Sequence, residues 1–250
     1  MIINGNYRYG IFVKTWWSSQ IKIISNELQR NVIEGIVISD GSTYEISHNQ
    51  FIFNGIYTTS QYHSIFMSNS SFFSVLNNTF YANHGILVDA GSHHCTIERN
   101  RFHAHDVSLF NDYQIRVIDS NFLTIQHNLI QRAADFGIWI TNSNNTNLLN
   151  NSIHNNEKVG MYIDKARHGV ISENYVNHAT FYGIGVLSAF NMTINKNKVH
   201  CSTVDGVFFP GTCVLSTKGE RHVQPNSAGS RGVQEALPHA CFILHGTWLS

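Results

Sequence analysis

The chain has 250 residues, 16 basic and 16 acidic side chains, and 13% charged residues, about half the roughly 25% of an ordinary soluble domain. Zero net charge argues against nucleic acid, which needs a basic footprint. No apolar run reaches the ~20 residues of a spanning helix, and 42% hydrophobic with 12% aromatic content excludes disorder. The 28 Asn, with abundant Ser, Thr, Ile, Val and Phe, favour strands over a helical bundle.

The chain opens on Met1-Ile-Ile-Asn-Gly-Asn, without the basic and then apolar pattern of a signal peptide. A weak copy of the coming repeat is expected at Asn4. The full string, apolar-x-x-Asn-x-apolar, first appears at Ile23 to Leu28. It recurs with its Asn at 49, 78, 100, 128, 151, 174 and 197. The steps from Asn26 onward are 23, 29, 22, 28, 23, 23 and 23 residues. In the regular coils a Gly-apolar-x-apolar string lies nine residues after the Asn, at Gly35, Gly137, Gly160, Gly183 and Gly206. A small residue follows six residues later, at Gly41, Ser143, Ala166 and Ala189.

Both strings alternate with period two, so each predicts a short strand with one face inside. A 23-residue unit cannot bury that face alone, but stacked coils can, ~4.8 Å apart in parallel register. Asn at a fixed turn then forms a ladder of side-chain amides, and Gly is expected at the other turn for its backbone freedom. The frame places the strands of the two long coils at Ser64–Met67 and Gln114–Val117, after arms of 15 and 14 residues. The arm between them, Asn78 to Gly85, is only seven. The repeats stop at Pro210. The expected organisation is therefore a solenoid over 1–210, of eight to nine coils, and a non-repeat segment over 211–250, either an irregular cap or unstructured. Uncapped ends leave oligomerisation open. The four cysteines, Cys95, Cys201, Cys213 and Cys241, lack metal-type spacing and are read as unpaired thiols, with a Cys201–Cys213 pair the alternative in an oxidising compartment.

This Asn-x-apolar and Gly-apolar-x-apolar signature resembles the right-handed parallel β-helix of the pectate-lyase-like superfamily. Alginate C5-epimerase-like proteins have a similar texture, and the copper-accessory β-helix proteins of nitrous oxide reductase maturation carry the same repeat. The resemblance implies an all-β fold, a polysaccharide partner and an extracellular or periplasmic location. It leaves the activity open, because this fold hosts many. The acidic strand motifs of polygalacturonases and pectate lyases are absent, as is the epimerase Asp-Pro-His-Asp at the equivalent stretch Trp139 to Asn142.

Two long arms flanking a short one predict a notch walled by residues 53–63 and 102–113 and floored by 81–84. Insertions on one side of a solenoid tend to mark its binding face. The expected chemistry is that of a lyase or epimerase on an acidic polysaccharide. A base from the notch (His84, His105 or Tyr113, with Asp106 nearby) takes the proton beside a uronate carboxylate, and Arg116 neutralises that carboxylate. Substrate contacts are expected from Tyr62, His63 and the outward column of the Gly strand, chiefly Phe66, Trp139 and Tyr162, with Asp164 at its end. Asp89 and Asp119, on neighbouring coils, form an alternative hydrolase pair. A non-catalytic glycan-binding or surface role competes with catalysis. No cofactor is required; calcium or copper stays open, with His84, His103 and His105 the best metal cluster.

Overall fold

The computed structural model describes residues 1–15, 20–55, 63–81, 84–103, 113–200, 202, 204–208 and 215–216. These residues form strands without a helix, and all strand pairs are parallel. The chain winds as a right-handed β-solenoid, the hand expected of parallel strands joined by crossovers. One nine-stranded sheet holds the segments that follow each repeated Asn, such as Gln50–Ile52, Thr79–Tyr81 and Arg101–His103. The other sheet, of 16 strands, covers two faces. One face is made by the Gly strings and the other by the apolar-x-x-Asn strings. Glu34–Ser47 and Ile65–Leu76 run unbroken through the bend between them.

Register confirms the frame of both long coils. Ile65 pairs with Ile36 and Ile86, and Ile115 pairs with Ile86 and Ile138. The weak copy at Asn4 is not a ladder residue. Ile2–Asn4 pairs with Glu27–Gln29, so Asn4 stands opposite Gln29, not Asn26. Parallel pairing also passes the 210 boundary, since Leu215–Ser216 pairs with Met192–Thr193. Residues 217–250 lie outside the described residues.

Inward side chains repeat coil after coil and stack on their own kind. Phe51, Phe80 and Phe102 are buried with ring centroids 4.7 and 4.5 Å apart. Each buries the roughly 1.5–3 kcal/mol worth of apolar surface of a core side chain, and the offset stack adds about 1 kcal/mol per pair. Cys95 is a buried free thiol in this core, and burial pushes its pKa up.

The Asn ladder runs from Asn26 to Asn197. Each Oδ1 from Asn49 onward accepts the backbone N–H and the side-chain Nδ2–H of the Asn one coil earlier, at 2.9–3.1 Å. The second Nδ2–H goes to a backbone carbonyl, as from Asn128 to Ile97 at 2.9 Å. Every internal amide is thus satisfied by its copies, which is what allows it to be buried. A second, shorter ladder, Asn6–Asn31–Asn54, repeats the device five residues on.

The expected reason for the repeated Gly is corrected. Gly137, Gly160 and Gly183 lie inside strands, and none has positive φ. A Cβ on Gly137 would stand 2.6 Å from the carbonyl oxygen of Gly160, and one on Gly160 2.6 Å from that of Gly183. Space against the next coil excludes a side chain there. The left-handed turns fall on other residues, including the one before each ladder Asn, from Ser25 to Lys196.

Candidate functional site

Two side-chain columns of the Gly face build the site. The first is the middle residue of each Gly string. Register aligns Val37, Phe66, Leu87, Arg116, Trp139, Tyr162, Gly185 and Phe208 in that order. It is less exposed than its outward position implies. Val37 and Leu87 are buried, while Phe66, Arg116, Trp139 and Tyr162 are half-buried. The second column is the residue just before each Gly position. Its members are Glu34, His63, His84, Tyr113, Phe136, Val159 and Tyr182. The period that defines the first column also defines this one, and it is the signal that places Glu34 and Phe136 among its members.

The columns meet around Tyr113. Its hydroxyl and His63 Nε2 share a hydrogen bond, and the two rings stack with centroids 5.5 Å apart. His84, on the intervening coil, lies 6.3 Å from the His63 ring and 6.4 Å from the Tyr113 ring. The Arg116 guanidinium carbon sits 5.1 Å from the Tyr113 ring centre and 4.1 Å from that of Trp139. This holds a cation between two aromatic faces. Phe136 and Tyr162 continue the aromatic surface beside Trp139, at 4.9 and 6.2 Å.

Electrostatics divide the cluster. His63, Tyr113 and His84 are buried, whereas Arg116 and Trp139 form its half-buried rim. Burial first, then the charges of His84 and Arg116, pulls the His63 pKa down to about 3, so His63 is neutral at ordinary pH. Burial alone pushes Glu34 up to about 7. Burial, then Asp164 and Tyr182, raises Tyr162. Among the described residues, His63 Nδ1, Ser64 Oγ, Arg116 Nε and Trp139 Nε1 are buried without a hydrogen-bond partner. Arg116 also has no carboxylate partner there. Such groups cost free energy unless something else completes them.

Of the expected site residues, the structure brings together His63, His84, Tyr113, Arg116, Trp139 and Tyr162. Phe66 lies 6.3 Å from the His63 ring. Tyr62, His105 and Asp106 lie outside the described residues, as does most of the notch wall. Asp89 and Asp119 are engaged in their own turns. Asp89 Oδ1 accepts the Ala90 N–H at 2.6 Å, and Asp119, at φ 50°, accepts a bond from Asn142 Nδ2. Asp164 aligns with Thr141 and Leu187 at the end of its strand. His103 belongs to the other sheet and stacks on Tyr81 at 5.4 Å.

Residues 63–227 match the family model described as "Right handed beta helix region". The chain belongs to this right-handed β-helix family. Residues 2–115 also match the model described as "Periplasmic copper-binding protein (NosD)". A copper role needs convergent ligands, and among the described residues no three His, Cys, Asp or Glu side chains gather as a metal site. Of the expected cluster His84, His103 and His105, the last lies outside the described residues.

Solved structures agree on the fold. The periplasmic alginate epimerase AlgG superposes with a TM-score of 0.61 at 14% identity, covering 84% of this chain and 50% of that one. An exopolygalacturonase from Thermotoga maritima gives 0.59 at 8% identity, covering 84% and 52%. DFA-IIIase from Arthrobacter chlorophenolicus A6 in complex with GF2 gives 0.51 at 10% identity, covering 78% and 50%. This β-helix spans about half the length of each. No curated protein matches by sequence. Among the described residues no helix is long and apolar enough to cross a membrane.

Proposed function

We propose that this β-helix acts on an acidic polysaccharide in a periplasmic or extracellular setting, by proton abstraction next to a uronate carboxylate. The observation that carries the reading is Arg116, held between Tyr113 and Trp139 without an acidic partner among the described residues, beside the hydrogen-bonded Tyr113–His63 pair. The names of two structural neighbours, an alginate epimerase and an exopolygalacturonase, point to the same substrate class.

Arg116 meets the sugar carboxylate and stabilises the enolate that forms when the adjacent C–H proton leaves. His84 takes that proton. Tyr113 returns one, either to the departing glycosidic oxygen in a lyase or to the opposite face of the carbon in an epimerase. His63, being neutral, orients the Tyr113 hydroxyl and does not compete as an acid. Trp139 and Tyr162 seat neighbouring sugars. The deciding experiment uses alginate, polygalacturonate and a neutral glucan. Absorbance of the new double bond reports elimination, and deuterium uptake from heavy water reports epimerisation. Turnover on a uronate polymer that disappears in Arg116→Ala and Tyr113→Phe is expected. Full turnover in both variants would overturn the assignment.

A second reading, glycan binding without turnover, draws on the burial of His63, His84 and Tyr113. It predicts saccharide affinity that depends on Arg116 and Trp139, with neither signal.

A further inference from the structure

Two buried acids occur among the described residues. Asp135 binds Lys158 at 2.5 Å. Glu34 is only 7% exposed and has no ion pair or hydrogen bond among the described residues. The other acids with basic partners, Asp40, Glu45, Glu98 and Glu173, are more exposed and lie on other parts of the surface. A carboxyl with so little contact with water and no partner among the described residues is costly, and packing alone would favour an apolar residue.

Its place in the fold gives that carboxyl a use. Glu34 is the residue before Gly35, so it stands in the column of His63, His84 and Tyr113, one coil before His63. Tyr9 is its register neighbour on the other side. Among the described residues no cation pairs with it, and burial is the cause of its raised pKa. Arg116 lies three coils along, about 14 Å at ~4.8 Å per coil. The face therefore carries a cation at one point and an unpaired carboxyl at another. A sugar unit is comparable in length to a coil rise, so a chain lying along the axis places different units on the two.

We propose that Glu34 forms a specificity subsite for an uncharged, hydroxyl-bearing sugar unit, a few units from the uronate read by Arg116. This rests on the reading of Arg116 as the carboxylate contact. Sugar hydroxyls supply the hydrogen bonds that Glu34 lacks. A second uronate at that point brings two carboxylates together in a poorly solvated place, which disfavours binding. The preferred ligand is thus a mixed chain, in which charged units are interrupted by neutral ones, over a uniform polyuronate.

The test is calorimetric titration at pH 8, where Glu34 is ionised, with two hexasaccharides. One is uniform in uronate, and the other alternates uronate with a neutral sugar. Wild type is expected to bind the alternating chain about tenfold more tightly. Glu34→Gln is expected to bind both within about twofold, by gaining affinity for the uniform chain. Glu34→Met, of similar volume, replaces it if the Gln variant does not fold. Equal affinities in wild type, or a preference that survives in Glu34→Gln, overturn the subsite. Arg116→Ala separates the two claims. If it binds both chains as wild type does, the carboxylate reading fails, while a preference abolished by Glu34→Gln still upholds the subsite.

Discussion

Two columns of buried polar side chains run along this solenoid, and they are completed differently. In the Asn ladder each internal amide has its donors and acceptor filled by its copies and by a backbone carbonyl. In the Glu34–His63–His84–Tyr113 column and the Arg116 and Trp139 beside it, the residue type varies along the coils, and His63 Nδ1, Arg116 Nε and Trp139 Nε1 end without partners among the described residues. A translational repeat satisfies a polar group when the group meets its own copy one coil on and is its own complement, as an amide is. A guanidinium, which only donates, and a carboxylate, which only accepts, are not, and a column of unlike residues has no copy to meet. For His63 Nδ1, Arg116 Nε and Trp139 Nε1, the proposed missing partner is a ligand. On the proposed reading the ladder is scaffold and the mixed column is site.

The largest effect expected from this contrast is on the ladder. Asn128→Ala removes the acceptor of the Asn100 N–H and Nδ2–H and the donor to Ile97, leaving several buried groups unsatisfied. It should cost about 3 kcal/mol or more in denaturant unfolding. Asn26→Ala, at a half-buried end where the side chain mainly donates, should cost about 1 kcal/mol. Equal losses at the two positions would mean that amide complementarity along the ladder is not what holds the coils. On the site side, Arg116→Ala should lower turnover on a uronate polymer by about 100-fold or more. It should change stability by only about 1 kcal/mol, the worth of its contacts with Tyr113 and Trp139. A large stability loss instead would move Arg116 to the scaffold.

The pH dependence of stability tests whether the mixed column is strained. His63, normally at 6.5 and lowered to about 3, makes the unfolded chain bind the extra proton between those values, so its contribution falls as pH drops through that window. Glu34, normally at 4.5 and raised to about 7, has the opposite sign, and its contribution is lost as pH rises from 4.5 to 7. The two oppose each other between about 4.5 and 6.5, where the His63 and Glu34 terms should largely cancel. Glu34→Gln should uncover the His63 slope there, with stability rising with pH. At pH 8 it should exceed wild type by about 1 kcal/mol, allowing for the water that reaches a group near the surface. Thermal melts of both proteins across that range read it directly, and an unchanged slope would show that Glu34 is not desolvated.

How much of this was visible in the sequence follows the same division. The ladder was legible because identical residues recur at one spacing. The two long coils kept the frame, so Ile65 and Ile115 fall in the register that counting back from Val75 and Ile125 gives. The Gly column was legible in position but not in cause, because a carbonyl 2.6 Å away belongs to the next coil. The site was half legible. Arg116, Trp139 and Tyr162 stood out as a column, and His84 and Tyr113 as notch residues. Glu34 closes a regular nine-residue arm, outside the notch, where nothing in the spacing marks it. Exposure was overestimated at Val37 and Leu87, since alternation gives the direction of a side chain but not what neighbouring coils lay over it.

The smallest expected effect falls on Asp119. If the site lies where the mixed column places it, this carboxylate is a turn residue. It sits at φ 50°, a conformation that Asn adopts as readily as Asp, and its bond is to Asn142. Asp119→Asn should then stay within about 0.5 kcal/mol of wild type, as surface changes away from special features do. Turnover on a uronate polymer should be unaltered. Loss of turnover without loss of stability would have a different meaning. It would shift the chemistry to the far end of the Gly strand and revive Asp89 and Asp119 as a general acid and base. The unsatisfied groups around Arg116 would then be a binding surface alone, and partnerless polar atoms in this solenoid would mark where a ligand rests but not where a bond is made or broken.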